Sequence, residues 1–313
     1  MTTTIEPEAP PRAAIVAQGV ARSFGDVRAV DNATLTVQAG SVTALIGPNG
    51  CGKTTLMLML AGLLRPNEGT ISVGGNDPRT DAAAVRGSIG WMPDQLGSWD
   101  NLTCLQTLTL IGQAYRIPKA ESRARGDALL ARVHLEEFAQ RPARVLSRGQ
   151  KQRLSLARAL MHDPEVLLLD EPANGLDPRS RIELRDLVRE LAAEGRAVLI
   201  SSHVLAELDE MVDDAIFMSK GRTLGDEASA MVAEAKTKYR IDALDRDLLI
   251  STLRGSSVPV EETPTGVVVR IDGDTNAAEA LAWLVSKGVR VHRFGPVGSA
   301  LEQTYMAMNE ERR

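Results

Sequence analysis

Apolar residues recur in this chain in two rhythms. Short unbroken runs, Val42–Ile46, Val166–Leu169 and Ala197–Ser201, read as strands buried on both faces, the pattern of a parallel sheet. Alternating segments around Ala14–Ala21 and Ala33–Gln38 predict antiparallel strands ahead of the first run. Between Trp91 and Asp163 the spacing turns helical, with Leu105–Tyr115 and Ala120–Val133 joined through Pro118, then Gln150–Met161. After Glu234 it changes once more. Lys238–Ala243, Val258–Glu261, Gly266–Ile271 and Val289–Phe294 predict strands, with helices near Asp245–Arg254 and Thr275–Lys287. The expectation is an α/β domain over residues 13–235 with a helical subdomain over about 94–163, then a small α+β domain over 236–313. Residues 1–12, rich in Pro, Thr and Glu, read as a disordered tail.

Composition narrows the picture. Of 313 residues, 43% are apolar, enough for two cores in a soluble globular chain. No stretch approaches ~18 uninterrupted apolar residues, and the start lacks the apolar block of a signal peptide. Any path across a membrane is therefore expected in another chain. Lys and Arg number 36 against 41 Asp and Glu, a net charge of −5, so nucleic acid is not an expected partner. Two cysteines, Cys51 and Cys104, make no disulfide framework and fit a reducing cytoplasm.

The chemistry lies in three segments in a fixed order. Gly47, Pro48, Asn49, Gly50, Cys51, Gly52, Lys53, Thr54 and Thr55 form a P-loop between a strand and a helix. Its glycines let the backbone curl so that N–H groups face phosphates, Lys53 reaches the β- and γ-oxygens, and Thr54 supplies a hydroxyl to magnesium. Leu146-Ser-Arg-Gly-Gln150 follows, and then Val166-Leu-Leu-Leu-Asp-Glu-Pro172, an apolar strand ending in two acids. Cys51 stands amid backbone N–H groups and near Lys53, surroundings expected to stabilise a thiolate.

A P-loop alone marks a nucleoside triphosphatase, but the three segments together resemble the ATP-binding subunit of an ABC transporter, strongly over residues 15–235. The order of motifs and the ending Ser299–Met308 are similar to the type-two exporter branch, which serves drugs, lipids or glycans. The fold implied is a P-loop NTPase of ABC type, with a parallel core sheet, an antiparallel β subdomain and a helical subdomain. The resemblance assigns Asp170 to magnesium and Glu171 to polarising the attacking water as general base. It makes His203, after Ser201-Ser202, the switch histidine at the γ-phosphate, and Phe24 the aromatic that stacks on adenine. Ser147, Gly149 and Gln150 open a helix whose apolar positions include Leu154, Ala157, Leu160 and Met161, while Lys151, Gln152 and Arg158 point elsewhere. The unpaired N–H groups of that helix start suit the γ-phosphate of ATP bound by an opposite subunit.

The resemblance therefore implies a homodimer sharing two ATP and Mg²⁺ sites, which drives a separate transmembrane permease from the cytoplasmic face of the cell membrane. Asn174-Gly-Leu-Asp177 matches the dimer-contact loop, with Asp177 also a cap for the helix starting near Pro178. Two positions depart from the pattern. Arg148 replaces the commoner second glycine, and Asp94, followed by Gln95, stands where Gln or Glu contacts magnesium. Trp99 either docks a membrane partner or packs under the helical subdomain. The rival reading is an ABC ATPase without a permease, a resistance, sensor, ribosome- or DNA-associated protein. Against the last two, only ~100 residues separate Gly47 from Leu146, too few for a long coiled-coil insertion, and one cassette is present.

Overall fold

A computed structural model describes residues 12–94, 97, 99, 101–202, 208, 211–225, 237–256, 258–263 and 266–297. The chain divides into two units, Met1–Leu224 and Gly225–Arg313. The predicted tail, His203, Gln95 and Ser299–Met308 lie outside the described residues, apart from Arg12.

The first unit is built on the apolar runs. Strands β1 (Ala13–Phe24) and β2 (Val27–Gln38) form a hairpin, and β4 (Glu68–Val73) joins the other edge of β1, giving an antiparallel sheet in the order β2-β1-β4. A second sheet runs β5-β6-β7-β3-β8-β9, with β3 (Val42–Ile46), β5 (Ile89–Met92), β6 (Val166–Asp170), β7 (Ala197–Ser202), β8 (Asp214–Ser219) and β9 (Arg222–Leu224). Its first five strands are parallel and β9 runs antiparallel to β8. Every residue of β3, β6 and β7 is buried, as unbroken apolar runs require when both faces are covered. Burying each Leu or Ile of these strands contributes about 1.5–3 kcal/mol before chain entropy is set against it.

Helix α1 (Lys53–Leu60) fills the space between the two sheets. Leu56, Met57, Met59 and Leu60 are all buried, so the helix is anchored by apolar side chains while Thr54 of its first turn stays open to solvent. The helix stops at Leu60, and Gly62, with φ of 64°, turns the chain away. After α2 (Ala82–Ser88), Trp91 belongs to strand β5, and among the described residues helical structure resumes at Cys104, later than the spacing suggests.

Helices α3 (Cys104–Ala114), α4 (Lys119–Arg132) and α5 (Arg148–Ala159) bury a core of their own around Leu105, Leu108, Leu130, Leu154 and Met161. Both α3 and α5 start on complete capping boxes, Thr103 with Gln106 and Ser147 with Gln150. Helix α6 (Pro178–Ala193) starts on Asp177 with Pro178 in its first turn.

The second unit runs β10 (Lys238–Ala243), α7 (Arg246–Gly255), β11 (Val260–Thr263), β12 (Gly266–Arg270), α8 (Gly273–Ser286) and β13 (Val291–Pro296). Its strands pair antiparallel in the order β11-β12-β10-β13, the split β-α-β arrangement of an α+β domain. Among the described residues no helix is long and apolar enough to cross a membrane.

Candidate functional site

The P-loop is shaped by what lies under it. A side chain at Gly47 would strike the Met218 carbonyl at 2.3 Å, and one at Gly52 would strike the Ala29 carbonyl at 2.4 Å. Gly50 and Gly52 adopt φ of 78° and 110°, so the loop curls through backbone angles that other residues avoid. Gly47 is buried and Pro48 half-buried, whereas Asn49, Gly50 and Thr54 are exposed and Thr55 is half-buried. The loop thus presents its polar rim to solvent while its base is packed.

Lys53 is buried, and its Nζ donates to the carbonyls of Gly47 at 2.7 Å and Pro48 at 3.3 Å. The same ammonium lies 3.7 Å from Oε1 of Glu171. Next along the helix, the Thr54 hydroxyl donates to Oδ2 of Asp170 at 2.7 Å, and the Ser201 hydroxyl donates to Oδ1 of Asp170 at 2.5 Å. The first turn of α1 and the ends of β6 and β7 therefore meet at one buried carboxylate. Parallel pairing dictates this, because Asp170 and Ser201 are register partners in the last rung between β6 and β7.

Glu171 sits one residue past the strand with φ of 51°, a left-handed angle uncommon outside glycine. Its N–H is held by the Ser201 carbonyl at 3.2 Å and the Ser201 hydroxyl at 3.0 Å. These bonds turn the backbone so that the Glu171 carboxylate, largely buried, points toward Lys53. A hydroxyl and a carboxylate side by side form an oxygen donor pair suited to a hard divalent cation. Mg²⁺ takes one or two protein oxygens of this kind together with substrate phosphates. The adjacent buried ammonium suits a polyanion.

The loop after β6 links the site to α5. Asn174 Nδ2 donates to Oδ1 of Asp94 at 3.2 Å, so the residue standing in the expected magnesium position is held by the loop after β6. Gln152 points away from the apolar positions of its helix, as expected, but not into solvent: it is 2% exposed, with its amide within 3.5 Å of the Glu171 and Asn174 carbonyls.

Ser147 Oγ accepts the Gln150 N–H while Gln150 Oε1 accepts the Ser147 N–H, so that one of the helix-start donors expected to be unpaired is capped from within. Gly149 lies against Leu176, where a side chain would meet it at 3.3 Å. The Arg148 guanidinium runs over Gly175, whose missing side chain and φ of 76° make the room. Ser147, Gly149 and Gln150 therefore stand with the loop after β6, and among the described residues no hydrogen bond ties them to the P-loop of their own chain.

Asp177 does cap α6: Ser180 donates its N–H to Oδ1 at 3.1 Å and its hydroxyl to Oδ2 at 2.7 Å. These bonds, the hydroxyl first, hold the carboxyl below the usual carboxylate range. Phe24 is 49% exposed at the end of β1, with the Arg22 guanidinium 4.9 Å from its ring centroid. Trp99 is about half exposed, and Arg158 lies 5.7 Å from its ring.

The thiolate expectation for Cys51 is overturned. The side chain is 5% exposed and belongs to the apolar core beneath the loop. Burial pushes the thiol above its ordinary value, outweighing the opposing charge of Lys53. The side chain packs beneath the loop, while the Cys51 N–H donates to the Pro48 carbonyl at 3.2 Å and its carbonyl accepts the Gly221 N–H at 2.9 Å.

Ser201 is a part of the site to which motif reading gave no role, and the bond from Asn174 to Asp94 is one it did not foresee. The signal for Ser201 was its place at the end of the apolar run beside β6, since neighbouring parallel strands bring their last residues together.

The family model for ABC transporters matches residues 30–174, which hold the P-loop, Ser147 to Gln150 and both acids. The daunorubicin resistance ATP-binding protein DrrA3 of Streptomyces coeruleorubidus is 38% identical over 259 residues, 83% of this chain and 81% of that protein. A Nod factor export ATP-binding protein I of Burkholderia lata is 37% identical over 230 residues, 72% of this chain and 74% of its own length. Among solved structures, a dimeric ATP-binding cassette in a post-hydrolysis state with ADP and Pi aligns with a TM-score of 0.62 at 26% identity, covering 67% of this chain and 96% of that one.

Proposed function

The chain belongs to the ATP-binding proteins of ABC transporters, and from that premise we propose that its P-loop and the acids after β6 form half of an ATP site that a second copy completes. The protein is an ATP-binding and ATP-hydrolysing subunit of the exporter type. The observation that carries the site assignment is the buried junction of Thr54, Asp170 and Ser201 beside the Lys53–Glu171 pair.

The P-loop N–H groups and Lys53 bind and orient the triphosphate. Lys53 donates to the Gly47 and Pro48 carbonyls and pairs with the Glu171 carboxylate, so a triphosphate competes with these oxygens for its ammonium. Thr54 and Asp170 would hold Mg²⁺, which when bound with ATP neutralises charge on the β- and γ-phosphates. Glu171 accepts the proton of the attacking water at its carboxylate, and the Ser201 bonds to its N–H keep it aimed. Ser147, Gly149 and Gln150 reach the nucleotide of the partner copy. That division of labour is supported by their position on α5, apart from the P-loop of their own chain. His203 follows β7 directly and serves as the γ-phosphate contact, Phe24 stacks on adenine, and Asp94 completes the magnesium surroundings. Asp177 reaches the nucleotide region from the dimer-contact loop while capping α6.

The dimer drives a separate permease from the cytoplasmic face of the membrane. Relatives named for daunorubicin resistance and for Nod factor export support this exporter role. The test is phosphate release from ATP by the purified chain, against a Lys53→Ala variant. Mg²⁺-dependent release that vanishes in the variant is the expected result; release that persists in Lys53→Ala would remove the P-loop from the reaction.

A further inference from the structure

The C-terminal unit carries a cleft of its own, of about 440 Å³. Ile241 of β10, Val269 of β12, Leu253 of α7 and Leu284 of α8 form its buried apolar floor. Val258 and the indole of Trp283, both half-buried, form its sides. A space of this size with apolar walls and a few polar groups at its mouth is the usual form of a small-molecule site.

The polar groups decide the ligand class. Asn276, Glu279 and Trp283 follow one another at helical spacing along one face of α8, and Asp272 stands at its start. The Asp272 carboxylate makes no hydrogen bond to cap α8, and the Asn276 amide instead donates to the Asp272 carbonyl at 2.6 Å. Neither Asp272 nor Glu279 forms an ion pair among the described residues, and both are exposed at the mouth. Arg270 also lines the cleft, but it is not free. Glu279 lies one helical turn from Trp283, roughly 6 Å along the axis, which sets a carboxylate beside an aromatic face.

We propose that this cleft binds an amphipathic organic cation with a flat apolar body. The ring system lies against Trp283 over the apolar floor, and the charged nitrogen faces Glu279, with Asp272 adding a second negative charge farther along the mouth. The proposal uses no residue of the nucleotide site and stands apart from the reading of that site.

The test is calorimetric titration of the full-length protein, in saturating ATP analogue, with an aminoacridine cation and with neutral acridine of nearly the same shape. The expected result is saturable one-to-one binding of the cation that weakens with salt, and much weaker binding of the neutral ring. Glu279→Gln, an exposed change that leaves the fold intact, weakens the cation about fivefold, and Trp283→Leu, which keeps an apolar side chain, weakens it about tenfold. Equal affinity for the neutral and charged rings would overturn the cationic class. Absence of binding, binding unchanged in both variants, or binding displaced by ATP would overturn the site.

Discussion

The Asn174 amide donates to Oδ1 of Asp94 across 3.2 Å and joins two loops that are distant in sequence. One follows β5, the other follows the acids of β6, so the pair ties the edge strand β5 to the loop after β6. A double-mutant cycle with Asp94→Ala and Asn174→Ala should show coupling of about 0.5–1.5 kcal/mol in denaturant unfolding, the range of a partly exposed hydrogen bond. Strict additivity of the two single changes would show that the bond contributes nothing.

Glu171 is aimed by its own backbone. Its left-handed φ of 51° and the two bonds from Ser201 fix where the carboxylate points. Glu171→Gln keeps the shape and removes the proton acceptor, so ATP binding should survive while turnover falls by ~10²–10⁴-fold. Single-turnover hydrolysis alongside nucleotide affinity separates the two effects. Turnover close to wild type would take Glu171 out of the chemistry.

Ser201→Ala acts on the same group from behind. It removes the hydroxyl that bonds both Asp170 and the Glu171 N–H, while the Ser201 carbonyl still holds that N–H. Turnover should fall by about tenfold, less than in Glu171→Gln, with a stability loss of about 1–3 kcal/mol from the buried carboxylate left short of a partner. An unchanged turnover would show that the carbonyl alone positions Glu171.

How much of this was legible in the sequence follows from the range of the interactions. The strands β3, β6 and β7 were plain because burial on both faces leaves an unbroken apolar run, and the P-loop because curled backbone demands its glycines. Strand β5 was not, since four residues carry little periodicity and Gly90 looks like a turn. In the structure Gly90 is there because a side chain would strike the Ala159 carbonyl at 2.4 Å. The partners of Gln152 were hidden for a related reason: they belong to the loop after β6, which no helical spacing reveals. The C-terminal strands were legible as segments, but their order, with β10 between β12 and β13, rests on pairing between strands that are not consecutive.

Cys51 offers a test of which way the P-loop side chains face. Its thiol is buried and raised by desolvation, and so is that of Cys104. Both should react with a maleimide near neutral pH far more slowly than a free cysteine, and at the ordinary rate once the protein is unfolded in denaturant. ATP should change the rate at Cys51 little, because the thiol lies beneath the loop. Rapid labelling of Cys51 in the native protein, blocked by ATP, would mean that the side chain faces the phosphates after all.

His162 sets a pH limit on the helical part of the first unit. Its ring stacks on Tyr115 at 3.8 Å, and Nε2 lies 3.0 Å from the Ile89 carbonyl, which fixes the tautomer with the proton on Nε2. Nδ1 is buried and has no hydrogen-bond partner among the described residues, so charging the ring would add an N–H with no acceptor among them. Burial accordingly lowers the histidine below its ordinary value, with Asp163 and the Ile89 carbonyl opposing and Arg125 assisting. The unfolded chain then binds the proton more readily than the folded one, so stability is full above the unfolded value of about 6.5 and declines as pH falls through it. His162→Gln keeps a donor for the Ile89 carbonyl and cannot titrate. Denaturant midpoints measured between about pH 7.5 and pH 5 should therefore fall more steeply for the wild type than for this variant. Parallel profiles would show that His162 takes up its proton in the folded protein as easily as in the unfolded one.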